Sequence, residues 1–130
     1  MKLIATGAVA AALLVAACTP DQPVTQEANG FVEIATAEQF RNLVVGRTYG
    51  SADGRVIFQV RADGTSTGTA NGNPISSQWN WNDGKFCRTN FVNGVERGTD
   101  CLRAFLRGDE LRVESLTTDR IVTYTRIDDV

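Results

Sequence analysis

No histidine occurs among the 130 residues of this chain. Imidazole is the side chain that ordinarily titrates near neutral pH and the commonest metal ligand, so its absence closes Ser-His-Asp catalysis and the easiest zinc chemistry. A basic excess is lacking too: 13 Lys and Arg stand against 15 Asp and Glu, a formal charge of −2. Binding to nucleic-acid phosphates needs a basic field, so nucleic acid is not an expected partner. There is no Gly-rich phosphate loop, because Gly64, Gly68 and Gly72 are spread through strand-and-turn pattern. Ser66, Ser76, Ser77 and Ser115 have no activating motif beside them. Asp53-Gly54, Asp63-Gly64 and Asp83-Gly84 lack the alternating acidic or amide residues of a calcium loop. The residues therefore nominate no metal, no cofactor and no catalytic group. Hydrolysis by an unplaced Asp/Glu pair is the enzymatic reading left open.

Long apolar runs are also scarce. The longest spans residues 3–17 and falls short of the roughly 20 residues of a membrane-crossing helix. It follows Met1 and Lys2 and closes on Val15-Ala16-Ala17-Cys18, the pattern of an export signal. At those last four residues the segment resembles a bacterial lipoprotein signal peptide and its lipobox. The resemblance implies that residues 1–17 are removed and that Cys18 is the lipid-attachment residue, with membrane lipid as its partner. Thr19, rather than Asp, in the next position resembles the class sorted to the outer membrane, facing the periplasm. An ordinary cleaved signal is the alternative, and either route exports the chain.

Residues 18–35 are polar, with Pro20, Pro23, Asn29 and Gly30 among scattered apolar positions. That composition predicts a flexible tether. The remaining segment, 36–130, is long enough for one small domain. Thr36 with Gln39 has capping-box spacing and predicts a short helix over residues 36–43, with Phe40 and Leu43 or Val44 as its apolar face. Beyond it, Asp53-Gly54, Asp63-Gly64, Asn71-Gly72, Asp83-Gly84 and Asn93-Gly94 recur about every ten residues. Asx-Gly pairs tolerate the positive φ that tight hairpins require. Strands are expected over 45–49, 55–61, 65–70, 75–82, 85–91, 99–106, 110–116 and 120–127, which gives an all-β domain. Eight short antiparallel strands most easily remove their edges by closing into an up-and-down barrel. Phe58, Trp79, Trp81, Phe86, Phe91, Phe105 and Tyr124 are the candidates to fill it.

Once Cys18 is assigned to lipid, Cys87 and Cys101 remain, 14 positions apart on neighbouring expected strands. In an exported chain that even pair predicts a disulfide. Trp79 and Trp81 share one strand face, either as core or as an outer aromatic platform of the kind found at binding hot spots. The segment between the cysteines, carrying Val92, Val95 and Arg97, reads as a loop longer than a tight turn needs, a candidate recognition surface. Arg88, Arg97, Arg103, Arg107, Arg112, Arg120 and Arg126 either gather on one wall or form a surface mesh with nearby carboxylates.

In these short strands, the Trp-x-Trp pair and the single hairpin disulfide, residues 43–127 resemble in outline the small exported β-barrel domains of bacteria. Among them are lipocalin-like carriers and periplasmic inhibitors of lysozyme and metalloproteases. That resemblance is one of architecture; the absence of His and of any nucleophile motif favours a non-catalytic domain, membrane-anchored through Cys18, that binds an envelope protein as such an inhibitor does. The alternative within binding is a carrier of a small apolar ligand. The barrel interior separates the two: a cavity of a few hundred Å³ open at one rim favours a carrier, and a filled barrel with an exposed aromatic patch favours protein recognition.

Overall fold

The computed structural model describes residues 29–128; Cys18, the export segment and most of the expected tether lie outside them. Nine strands and one helix are present: β1 (Val32–Glu33), α1 (Ala37–Leu43), β2 (Thr48–Ser51), β3 (Val56–Val60), β4 (Thr65–Ala70), β5 (Asn73–Asn82), β6 (Lys85–Val92), β7 (Val95–Arg107), β8 (Glu110–Ser115) and β9 (Ile121–Arg126). From β2 to β9 each strand pairs antiparallel with its chain neighbour, and β9 returns to pair with β2. The result is the expected all-β, eight-stranded up-and-down barrel with one short helix near its start. Its architecture is that of a small lipocalin-like barrel.

The turn residues set the hairpins. Asn71, Asp83 and Asn93 adopt φ of 51°, 51° and 52°, and each is followed by a glycine of positive φ. Two consecutive positive-φ residues make the turn whose twist matches the flanking strands. Gly68 serves a different purpose. A Cβ there would come within 2.7 Å of the Phe58 Cα, so only glycine lets β4 lie this close to β3.

The helix is capped as its sequence predicts. The Gln39 backbone N–H donates to the Thr36 hydroxyl (3.1 Å), and the Thr36 backbone N–H donates to Gln39 Oε1 (3.3 Å). Seven residues are too few for an independent helix, so α1 is held by packing. Phe40 and Val44 are buried, whereas Leu43 faces solvent. The Phe40 ring lies 5.3, 5.0 and 4.9 Å from the rings of Trp79, Trp81 and Phe86. This cluster closes one end of the barrel.

Three expectations are corrected by the packing. First, residues before Thr36 already belong to the packed structure. Phe31 and Ile34 are buried, and β1 pairs with β7 through Val32↔Leu106 and Glu33↔Phe105. Second, Phe105 is not a barrel-filling residue. Leu102 and Ala104 take the inner positions of β7, so strand alternation sends Phe105 outward, where it is nonetheless fully buried. The Arg103 and Arg112 guanidiniums stack on its ring at 4.9 and 4.7 Å, and those of Arg107 and Arg112 on Phe31 at 4.2 and 4.8 Å. Glu33 accepts from Arg103 Nε and Nη2 at 2.9 and 3.0 Å. That bidentate partner holds the Glu33 carboxyl below its ordinary value, against the opposing effect of partial burial. Much of the arginine excess in the second half thus forms an outer mesh that straps β1 to the barrel.

The third correction concerns the β6–β7 connection. The long loop expected there is a two-residue turn, Asn93-Gly94, with Val92 paired to Val95. The extra length is absorbed by an irregularity: Asn90 pairs with Gly98 and Phe91 with Glu96, leaving Arg97 bulged out of register.

Candidate functional site

Because α1 leads into β2, the β2–β3, β4–β5, β6–β7 and β8–β9 connections all fall at the barrel end away from the aromatic plug. That end is open, for a reason visible in the ladder. β7 is long enough to pair with β6 over its first half and with β8 over its second. The β8 pairing stops at Leu102, and the Leu116 backbone N–H donating to the Cys101 carbonyl (3.2 Å) is the next contact. Residues 95–100 of β7 have β6 as their only strand neighbour among the described residues. The wall therefore parts between β7 and the β8–β9 connection at residues 116–120.

Two cavities lie at this end, beside a more open hollow at the β8–β9 connection. One, of about 220 Å³, is lined on its apolar side by Val56, Phe58, Val60, Ala70, Ile75 and Val92, with Ser66, Ser77 and Asn90 as polar neighbours. The other, of about 270 Å³, lies at the parted wall among Asp100, Leu102, Val113, Ser115, Thr117, Thr118 and Val122. Arg88, Arg120 and Tyr124 line both. An eight-stranded barrel encloses little more than its own side chains or one small ligand. Here the small residues of β4 and β5 decide the outcome. Ser66, Gly68, Ala70 and Ser77 alternate inward, and their missing volume is the cavity.

The polar groups of the walls are mostly committed to one another. The Ser66 and Ser77 hydroxyls share a hydrogen bond of 2.6 Å. Arg88 Nε donates to Asp100 Oδ1 at 3.1 Å, and Asn90 Nδ2 reaches the same oxygen at 3.5 Å. The Tyr124 ring meets Phe58 edge to face at 4.8 Å. A pocket of apolar walls with a few convergent polar groups suits a small organic molecule. Among the described residues there is no group of three or more His, Cys, Asp or Glu able to hold a metal ion, and no helix long and apolar enough to cross a membrane.

The residues singled out from the sequence divide between this site and elsewhere. Cys87 and Cys101 form the disulfide, directly opposite one another across β6 and β7 with Cα atoms 3.9 Å apart. Trp79 and Trp81 point inward at the plugged end, where Trp79 Nε1 donates to the Arg61 and Thr65 carbonyls (3.0 and 3.1 Å). The outer aromatic platform is therefore not formed. Val92 belongs to the cavity wall, whereas Val95 and Arg97 are exposed on the hairpin tip. Asp53 and Asp63 accept from backbone N–H groups two residues ahead, of Arg55 and Thr65, at 3.0 Å each, as turn-capping carboxylates do. Sequence reasoning missed the mouth residues Arg120 and Tyr124 as a pair. The one available signal was the length of the β8–β9 connection, the segment that carries Arg120 to the opening.

No family model, curated protein or solved structure matches this chain.

Proposed function

We propose that the domain is a binding barrel that carries one small, largely apolar ligand in its open end. The observation that supports this most is the cavity of about 220 Å³ among Val56, Phe58, Ala70, Ile75 and Val92 in a barrel whose other end is plugged. Partly exposed apolar side chains inside a barrel are costly unless something covers them. The protein-partner reading draws less support. With the tryptophans inside, it keeps Val95 and Arg97, and one exposed valine beside a solvated arginine is no apolar patch. The lipobox residues Val15-Ala16-Ala17-Cys18 support anchorage of this carrier through acylated Cys18 at the outer membrane. Intact mass after detergent extraction tests that part separately: an acyl increment is expected, and a water-soluble product with unmodified Cys18 would contradict it.

The binding reading is tested with N-phenyl-1-naphthylamine, a neutral probe that fluoresces in apolar surroundings. Saturable binding with one site per chain is expected. Ala70→Leu, which fills the cavity from β4, should weaken it by about tenfold, equivalent to about 1.4 kcal/mol. Absence of saturable binding, or equal affinity in the filled variant, would overturn the reading.

A further inference from the structure

We infer that the ligand is a monoanionic amphiphile, a carboxylate on a short apolar tail, and that Arg120 receives its headgroup; this rests on the open end being a ligand site. Three residues line both cavities, and they are not equivalent. Arg88 is committed to Asp100 at 3.1 Å. Arg120 is in no ion pair or side-chain hydrogen bond of its guanidinium among the described residues, and the Tyr124 hydroxyl likewise has no partner among them. The charged groups around the two cavities are the Arg88 and Arg120 guanidiniums against the single Asp100 carboxylate. Glu114, which borders Arg120 in an adjoining shallow hollow, is held by Arg112 at 2.6 Å and Arg103 at 3.7 Å. Asp119 borders the same hollow and pairs with no cation among the described residues. Within the lining of the two cavities themselves one positive charge, that of Arg120, is thus left over, while the Asp119 carboxylate lies on the adjoining hollow and in neither cavity.

A guanidinium presents parallel N–H donors whose spacing matches a carboxylate, and such charge-assisted bonds are about twice as strong as neutral ones. Size sets the tail. A cavity of about 220 Å³ accepts roughly seven water-sized groups at about 30 Å³ each. That suits a tail of about seven carbons or one aromatic ring in this chamber; a larger molecule such as the three-ring probe extends into the adjoining cavity of about 270 Å³, and the two together still exclude the paired acyl chains of a phospholipid. Arg120 can be altered without disturbing its connection, because the bonds it makes there come from its own main-chain atoms. The Arg120 N–H donates to Thr118 Oγ1 (3.2 Å), and its carbonyl accepts from the Ser115 N–H (3.0 Å).

Displacement of N-phenyl-1-naphthylamine from the full chain by octanoate, octan-1-ol and acetate at low ionic strength tests the inference. Octanoate should displace the probe at about tenfold lower concentration than octan-1-ol, and acetate should not displace it. In Arg120→Gln, with an unchanged circular dichroism spectrum, the preference for octanoate over octan-1-ol should shrink to about twofold. Added salt should narrow the wild-type preference, since an exposed guanidinium is screened. That measurement keeps the idea falsifiable if the variant does not fold. Equal displacement by octanoate and octan-1-ol, a salt-independent preference, or a preference that survives in Arg120→Gln would overturn the headgroup assignment and leave the carrier reading standing. Acetate as effective as octanoate would overturn the amphiphile. Failure of octanoate and octan-1-ol alike to displace a bound probe overturns the amphiphile too, whereas failure of the probe itself to bind removes the carrier reading beneath it.

Discussion

Phe40→Ala is expected to lower the free energy of unfolding by about 3–5 kcal/mol, the range for deleting a buried aromatic ring. Phe40 is the buried residue of α1 and meets three aromatic rings within 5.3 Å. The helix is otherwise attached through its capping box, Val44 and the Arg41 guanidinium over the Trp79 ring at 5.3 Å, so loss of the Phe40 ring should also loosen the helix from the barrel end. Leu43→Ala, on the exposed side of the same helix, should change stability by no more than about 0.5 kcal/mol. Urea denaturation of the two variants checks the contrast. A loss below about 1 kcal/mol in Phe40→Ala would mean that the plug is not held as described.

Replacing both Cys87 and Cys101 by alanine is expected to cost about 3 kcal/mol for a loop of this size. The bridge has a local consequence as well. Cys101 marks the point where β7 loses its β8 neighbour, so the bridge clamps the hairpin at the place where it leaves the barrel wall. Beyond it, residues 95–100 are held to β6 alone among the described strands. Hydrogen exchange in the double variant should therefore accelerate more for β6 and β7 amides beyond the bridge than for amides of β2, β3 and β9. A uniform increase would show that the hairpin is not a separate unit of stability, and an unchanged urea midpoint would contradict the expected loss.

The elements legible in the sequence are those with local causes. Asx-Gly pairs placed the hairpins because positive φ is a property of the turn residues themselves. Thr36 and Gln39 placed the helix start because the capping box is reciprocal over three residues. The disulfide was legible from strand adjacency together with the expected export. What stayed hidden depends on residues far apart in the chain. Phe31 opens the short run Phe31-Val32-Glu33-Ile34-Ala35 at the end of a polar stretch, too brief to declare itself as packed structure, and Arg107 and Arg112 stack on it from β7 and β8. Phe105 has the outward parity of Arg103, yet its bulk suggested the interior; nothing local shows that β1 and two guanidiniums cover it. The site was legible only in part. That a barrel of this count could be filled or hollow was clear, but the choice turned on Ser66, Gly68, Ala70 and Ser77 sharing the inner face beside Phe58. Arg97 and Arg120 look alike as sequence, and only the parted wall distinguishes a bulged hairpin residue from one lining both cavities.

The central claim is that the open end, and no outer surface, takes the ligand. The measurement that tests it most directly is the shift of methyl NMR signals as N-phenyl-1-naphthylamine is titrated into the protein. The account predicts that the shifts concentrate at Val56, Ala70, Ile75 and Val92, with little change at Val44 in the plug. Shifts concentrated at exposed Ile57, Val95 and Ile121, with the cavity methyls unmoved, would contradict it.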